Sequence, residues 1–215
     1  MLLDRLLWRR RTPTAFVDLT DVGPTSEPAG HADRVSLVEP SLAEADAFLA
    51  ASNGPGCRTE PDCRVDPTRL LATLRQQPRG RERPNPESGC DVAYRFWIRL
   101  DDGDQTDFAG RISLRVDTRD AAGLHLQRYV GHIGYVVFPS FRGHGIARRA
   151  TSLLLPLAKA HGLEPVWLTC NPDNVASRRT IERLGGRLVE TVDVPRNHPL
   201  YAVGDRQKCR YALDP

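Results

Sequence analysis

The chain has 215 residues, of which 40% are hydrophobic and 27% charged, with a formal net charge of +3. That balance suits one soluble globular domain with a sizeable core, and arginines scattered along every segment argue against a nucleic-acid surface. Five irregularly spaced cysteines make neither a disulfide framework nor a CxxC zinc half-site, and no apolar run nears the roughly 20 residues that span a membrane. Residues 1–11 are basic and partly apolar but lack the pattern of a signal peptide, so a cytoplasmic protein is the simplest reading.

In chain order, residues 1–11 read as a short helix and residues 12–30, rich in Pro, Gly, Thr and Asp, as an exposed connection. Together they form an arm outside the patterned domain of residues 31–215. Residues 34–38 alternate and predict a strand; a helix follows over 40–50 with Ser41 as its N-cap. After a loop over 51–66, Pro67–Gln76 predicts a second helix, and residues 77–89 a loop rich in Pro, Arg and Gly. Residues 92–100 and 108–116 predict strands joined by a hairpin turn at Asp101-Asp-Gly-Asp. A strand over 130–138 ends at Pro139. A helix over 143–161 then places Ile146, Ala150, Leu153, Leu154 and Leu157 on one face, with a bend near Ser152 caused by Pro156. Val166–Cys170 is a short buried strand, 174–184 a helix closed by Gly185-Gly186, and 186–194 and 208–213 the last strands. This order gives an α+β domain: a mixed sheet of about six or seven strands flanked by about four helices.

The chemistry sits where the strand over 130–138 turns into a helix, at Arg142-Gly-His-Gly-Ile-Ala. Gly143 and Gly145 allow successive N–H groups to point into one concavity. The helix start adds unpaired donors and a partial positive charge, and Arg142 adds direct charge, which together suit a pyrophosphate. No Gly-Lys-Ser/Thr follows, so this is not a Walker A loop, and a dinucleotide fingerprint would need a third glycine.

Arg142-x-x-Gly145-x-Ala147 resembles the (Gln/Arg)-x-x-Gly-x-(Gly/Ala) motif of the GNAT acetyltransferases. Thr169-Cys-Asn-Pro-Asp-Asn-Val-Ala-Ser, running into a helix that ends Leu-Gly, is similar to the family's second cofactor segment. Gly110-Arg-Ile-Ser-Leu-Arg and Gly131-His-Ile-Gly-Tyr resemble one bacterial branch of GNAT proteins, and Asn-x-x-Ser-Arg-Arg looks like the ribosomal-protein-alanine type. The resemblance covers roughly residues 34–213. It implies a GNAT acyl-CoA N-acyltransferase fold, acetyl-CoA as cosubstrate, no metal, and transfer to a primary amine of a small molecule or protein by direct attack in a ternary complex. The alternative is a GNAT-fold module that holds CoA without catalysis.

The resemblance further implies that residues 142–147 (Arg142, Gly143, His144, Gly145, Ile146, Ala147) hold the pyrophosphate. Asn174 and Ser177 would flank the pantetheine arm, Asn171 its amide, and Val136 and Val137 would serve the thioester. Many relatives carry a tyrosine seven residues after the asparagine as general acid; that position here is Ile181, which has no proton to give. His132, on the strand before the phosphate loop, is the candidate base, since an imidazole is neutral at working pH. Whether the protein pairs with a second copy through its arm is left open by the sequence.

Overall fold

The computed structural model describes residues 34–57, 60, 62–77, 80–82, 87, 89–101, 106–117 and 120–215. The arm over residues 1–30 and the hairpin tip at 102–105 lie outside them. One sheet has the order β1 (Val35–Val38), β3 (Cys90–Asp101), β4 (Thr106–Asp117), β5 (Ile133–Val137), with the two-residue β2 (Arg81–Glu82) also paired to β3. A second sheet has the order β6 (Val166–Cys170), β8 (Gln207–Leu213), β7 (Arg187–Asp193). The helices are α1 (Ala45–Ser52), α2 (Pro67–Gln76), α3 (Ala121–His125), α4 (Ile146–Ala160), α5 (Val175–Arg183) and α6 (Pro199–Ala202).

The first sheet is packed on both faces at the middle of β3, where Phe96, Trp97 and Ile98 are buried in succession. Tyr94, Phe96 and Ile98 of β3 and Ile112 and Leu114 of β4 share one core with Ile146, Ala150, Leu154 and Leu157 of α4. Burial of each large apolar side chain contributes roughly 1.5–3 kcal/mol. On the opposite face Phe48 of α1 stacks on Trp97 at 4.2 Å between ring centres, with Phe108 and Phe138 completing the cluster. All five cysteines are buried, and none is in a disulfide. Among the described residues no helix is long and apolar enough to cross a membrane.

Several elements depart from the sequence expectation for local reasons. Ser41 caps no helix; its hydroxyl donates to Glu44 Oε2 at 3.0 Å, and α1 begins at Ala45. The strand expected over 130–138 is confined to Ile133–Val137, because Leu126–Val130 is a π-helical turn closed by Gly131 at φ 78°. That turn extends α3, a helix without a sequence expectation, which Asp120 starts by accepting from the N–H groups of Ala122 and Gly123. Elsewhere α4 continues through Pro156 to Ala160. At α2 the local chemistry is plain: Asp66 accepts from Arg69 N at 2.7 Å and Pro67 takes the first turn.

The two sheets meet at the starts of β5 and β6. His132 N donates to Trp167 O at 2.6 Å, and Trp167 N donates to His132 Nδ1 at 3.0 Å. A side chain thus stands in for the next rung of the ladder. Beyond it β5 pairs only with β4 and β6 only with β8. Helix α4 carries the chain from the end of β5 back to the start of β6, and both strand ends lead to one cleft. The strands therefore run in one direction and diverge, which opens a crevice at their carboxyl ends.

Candidate active site

The cleft, of about 490 Å³, is built first from backbone. Gly143 (φ 85°) and Gly145 (φ 75°) take left-handed conformations, and nothing lies within 4 Å of where a Cβ would stand on either. Gly145 begins α4 without a side-chain cap, and the first intrahelical donor is Arg149 N to Gly145 O at 3.0 Å. The N–H groups of Ile146, Ala147 and Arg148, in the first turn, have no intrahelical acceptor, and all three residues line the cleft. Bare glycines before an uncapped helix start make an anion cradle.

Strand β5 forms the floor. Its backbone groups alternate between edges: Arg115 N bonds His132 O and Phe138 N bonds Ala109 O, both at 2.8 Å. The continuous register between these bonds gives Gly134 and Val136 to β4 as well. The backbone groups of Tyr135 and Val137, rather than those of Val136, face the cleft edge. Val137 O already accepts from Arg142 Nε at 2.9 Å.

Arg142 is placed differently from the expectation of a direct phosphate ligand. Its Nη1 and Nη2 clasp the Glu60 carboxylate at 2.9 and 2.6 Å. The guanidinium holds the Glu60 carboxyl below the usual range by hydrogen bonding. Cys63 lies beneath this pair, 3.4 Å from Arg142 Nη2, and burial pushes its thiol up to about 12.

Helix α5 supplies the facing wall. Asn174 both lines the cleft and caps the helix, accepting from Ser177 N at 3.0 Å. Ser177 Oγ lies 2.9 Å from the Tyr135 hydroxyl, a bridge from β5 to α5 across the crevice. Burial raises the Tyr135 phenol above its ordinary value. Ile181 is 1% exposed and belongs to the core.

The lining thus brings together Val136, Val137, Arg142, Gly143, Gly145, Ile146, Ala147, Asn174 and Ser177. His144 is exposed outside it. Asn171 is turned away: its Nδ2 donates to Asp205 Oδ1 and its Oδ1 accepts from Lys208, both at 2.6 Å. The sequence reading missed Tyr135, Arg148, Arg179 and Arg183 as lining residues. Arg179 and Arg183 stand four apart on α5, a spacing that puts them on one face and could have shown them.

A second cavity of about 720 Å³ opens on the other side of β5, beneath α2. It shares Asp62, Tyr135 and Val136 with the first, so the two meet at the middle of β5. His132 lines neither. It is 1% exposed, with Nδ1 taken by Trp167 N and Nε2 3.0 Å from Asp117 Oδ1. Burial alone would raise the Asp117 carboxyl, but hydrogen bonds from His132 and Gln127 outweigh it and hold the group low. Among the described residues no three potential metal ligands cluster.

Residues 34–187 match the family model described as Acetyltransferase (GNAT) domain. No match is found among curated proteins. Several solved structures share the fold. The microcin C7 self-immunity acetyltransferase MccE, in complex with acetyl-CoA and AMP, is 20% identical with a TM-score of 0.57, over 85% of this chain and 93% of that one. Mycobacterium smegmatis RimJ in complex with CoA-disulfide is 21% identical with a TM-score of 0.57, over 84% and 81%. RimL, a ribosomal L7/L12 alpha-N-protein acetyltransferase in complex with coenzyme A, is 16% identical with a TM-score of 0.55, over 84% and 94%.

Proposed function

The chain belongs to the GNAT acetyltransferase family, and we propose that it moves the acetyl group of acetyl-CoA to a primary amine by direct attack in a ternary complex. One observation carries this reading: a cleft of bare backbone donors and a second cavity meet at Asp62, Tyr135 and Val136. The first suits a cofactor and the second an acceptor, so donor and acceptor are brought together without a covalent enzyme intermediate.

The cradle fits the cofactor's pyrophosphate, because Gly143 and Gly145 leave open space where any side chain would stand. Gly143, Gly145, Ile146 and Ala147 would hold it, with Arg148, Arg179 and Arg183 adding charge at the rim. Asn174 and Ser177 would flank the arm. Bound acetyl-CoA supplies an acyl group activated as a thioester: an N–C bond forms, a C–S bond breaks, one proton leaves nitrogen and one reaches sulfur. On the cleft edge of β5, Val137 N–H is the backbone donor for charge developing on the carbonyl oxygen.

The Tyr135 hydroxyl, held by Ser177, gives the proton that Ile181 cannot. Its raised pKa keeps it protonated at neutral pH, as an acid requires. Asp62, on the wall common to both cavities, receives the amine proton directly or through water. His132 is a structural residue at the junction of the sheets. Residues 31–215 make up the catalytic domain and residues 1–30 an accessory arm.

The test is release of free CoA thiol when the full chain meets acetyl-CoA and a panel of primary amines. Ile181 in the core favours a second reading, a module that binds CoA and does no chemistry. That module would bind CoA in a calorimeter yet release no thiol with any amine.

A further inference from the structure

A carboxylate stands in the wall of a cleft that suits an anion. Glu60 lines it together with Arg142, Gly143 and Gly145, and a negative charge there works against a pyrophosphate unless it is neutralised. Arg142 neutralises it with a two-pronged clasp, Nη1 donating to Oε1 at 2.9 Å and Nη2 to Oε2 at 2.6 Å. Exposed ion pairs contribute little as a rule, but a bidentate pair inside a network is the exception. Here the network extends on both sides. Arg142 Nε donates to Val137 O at 2.9 Å, and Cys63, whose thiol burial keeps protonated, donates to Glu60 Oε2 at 3.5 Å.

The backbone of Glu60 is the knot of a turn. Its N–H donates to Cys57 O at 3.2 Å, and its carbonyl accepts from Cys63 N at 3.1 Å and Arg64 N at 3.4 Å. Cys57 and Cys63 are buried with Phe48 and Trp97, so the turn is rooted in the aromatic cluster. Asp62 lies in that turn directly before Cys63, and its carbonyl accepts from Arg111 Nη2 at 2.6 Å. One residue of the turn thus grips the phosphate loop, and two positions later another lines both cavities.

We infer that Glu60 is a positioning residue: by clasping Arg142 it fixes the turn of Asp62 against the phosphate loop, which sets the acceptor of the amine proton in register with the bound cofactor. The inference rests on the acetyl-transfer reading above, in which Asp62 receives that proton. Arg142 then serves the acceptor side, although its place in the sequence is on the cofactor side.

The experiment uses the full chain, acetyl-CoA and the amine of the panel that turns over fastest. Glu60→Gln keeps the shape and the backbone bonds of the turn but removes the charge. It should lower kcat by about tenfold, a modest share of the roughly 10²-fold that a misplacement of about 1 Å costs. Acetyl-CoA affinity by calorimetry should stay equal or tighten, because a like charge has left the cleft. A general loosening of the fold would weaken both. In an Asp62→Asn background the same change should cost less than about twofold, since nothing is left to position. Unchanged kcat, acetyl-CoA binding weakened in step with kcat, losses that multiply across the two variants, or parental turnover in Asp62→Asn each overturn the inference. If no amine is acetylated, acetyl transfer fails and the clasp is decided alone by limited trypsin digestion with CoA present. Faster cutting after Arg64 in Glu60→Gln than in the parent, at equal Tm, upholds it, and equal rates overturn it.

Discussion

The two cavities that meet on β5 are made of different materials. The cleft between β5 and α5 is built from backbone: left-handed glycines, an uncapped helix start and one free strand edge. The cavity beneath α2 is built from side chains, above all arginines standing on β3 and β4. A backbone site depends on a few residues that must be small, and it suits a ligand part that never varies. A side-chain site can be rewritten one residue at a time without disturbing the fold, which suits selection of an acceptor.

The largest predicted effect falls on the backbone cavity. Gly145→Val forces a branched residue into φ 75° and fills the bare cradle. Strain and lost approach together should weaken acetyl-CoA binding by about 10²–10³-fold by calorimetry. Unchanged affinity would break the assignment of the cradle. Next, Tyr135→Phe removes the hydroxyl at the boundary of the cavities and should lower kcat by about 10²-fold, the lower end for acid catalysis with so good a leaving group. In the parent enzyme the rate should persist past tyrosine's ordinary pKa of about 10, because burial raises the phenol and only its protonated form can act. A basic limb at or below that pH would assign the acid elsewhere.

His132→Ala touches neither cavity, so it sharpens the comparison from outside. It strands Trp167 N–H and the Asp117 carboxylate, and should cost about 1–3 kcal/mol in denaturant unfolding. Turnover per folded molecule should hold; a fall of 10²-fold would make His132 the base after all. The low Asp117 pKa adds a sign: its contribution is present above the unfolded-state value of about 3.9 and lost as pH falls through the depressed folded value. The parent should thus lose stability below about pH 4 more steeply than the variant. The smallest effect belongs to Asn174→Ala, about 0.5–2 kcal/mol for the lost cap, seen as a lower Tm. A raised KM for acetyl-CoA beside it separates a ligand contact from a cap alone.

The difference in materials also explains what the sequence made legible. Gly143, Gly145 and Asn174 were visible because backbone conformation and helix capping restrict residue choice within a few positions. Tyr135 stayed outside the site residues legible in the sequence because its partner, Ser177, lies 42 positions away on another element. The arginine face was hidden for a similar reason: Arg95 and Ser113 meet only through strand register. His132 drew a catalytic reading because nothing in its neighbourhood announces Asp117 and Trp167 as partners. The short α3 and its π-helical turn displaced part of an expected strand, since Gly131, which closes the turn, reads equally well as a strand residue.

The His132 junction has a further consequence, in the currency of amide hydrogen exchange. Its own N–H and that of Trp167 are clasped where the sheets join, so they should exchange only when the sheets part. The Tyr135 and Val137 amides, two rungs further along the open edge of β5, should exchange on the fast timescale of a frayed strand. A cofactor that slows the second pair and leaves the first unaltered would be completing the sheet as an added strand does, with the imidazole marking the rung at which protein gives way to ligand.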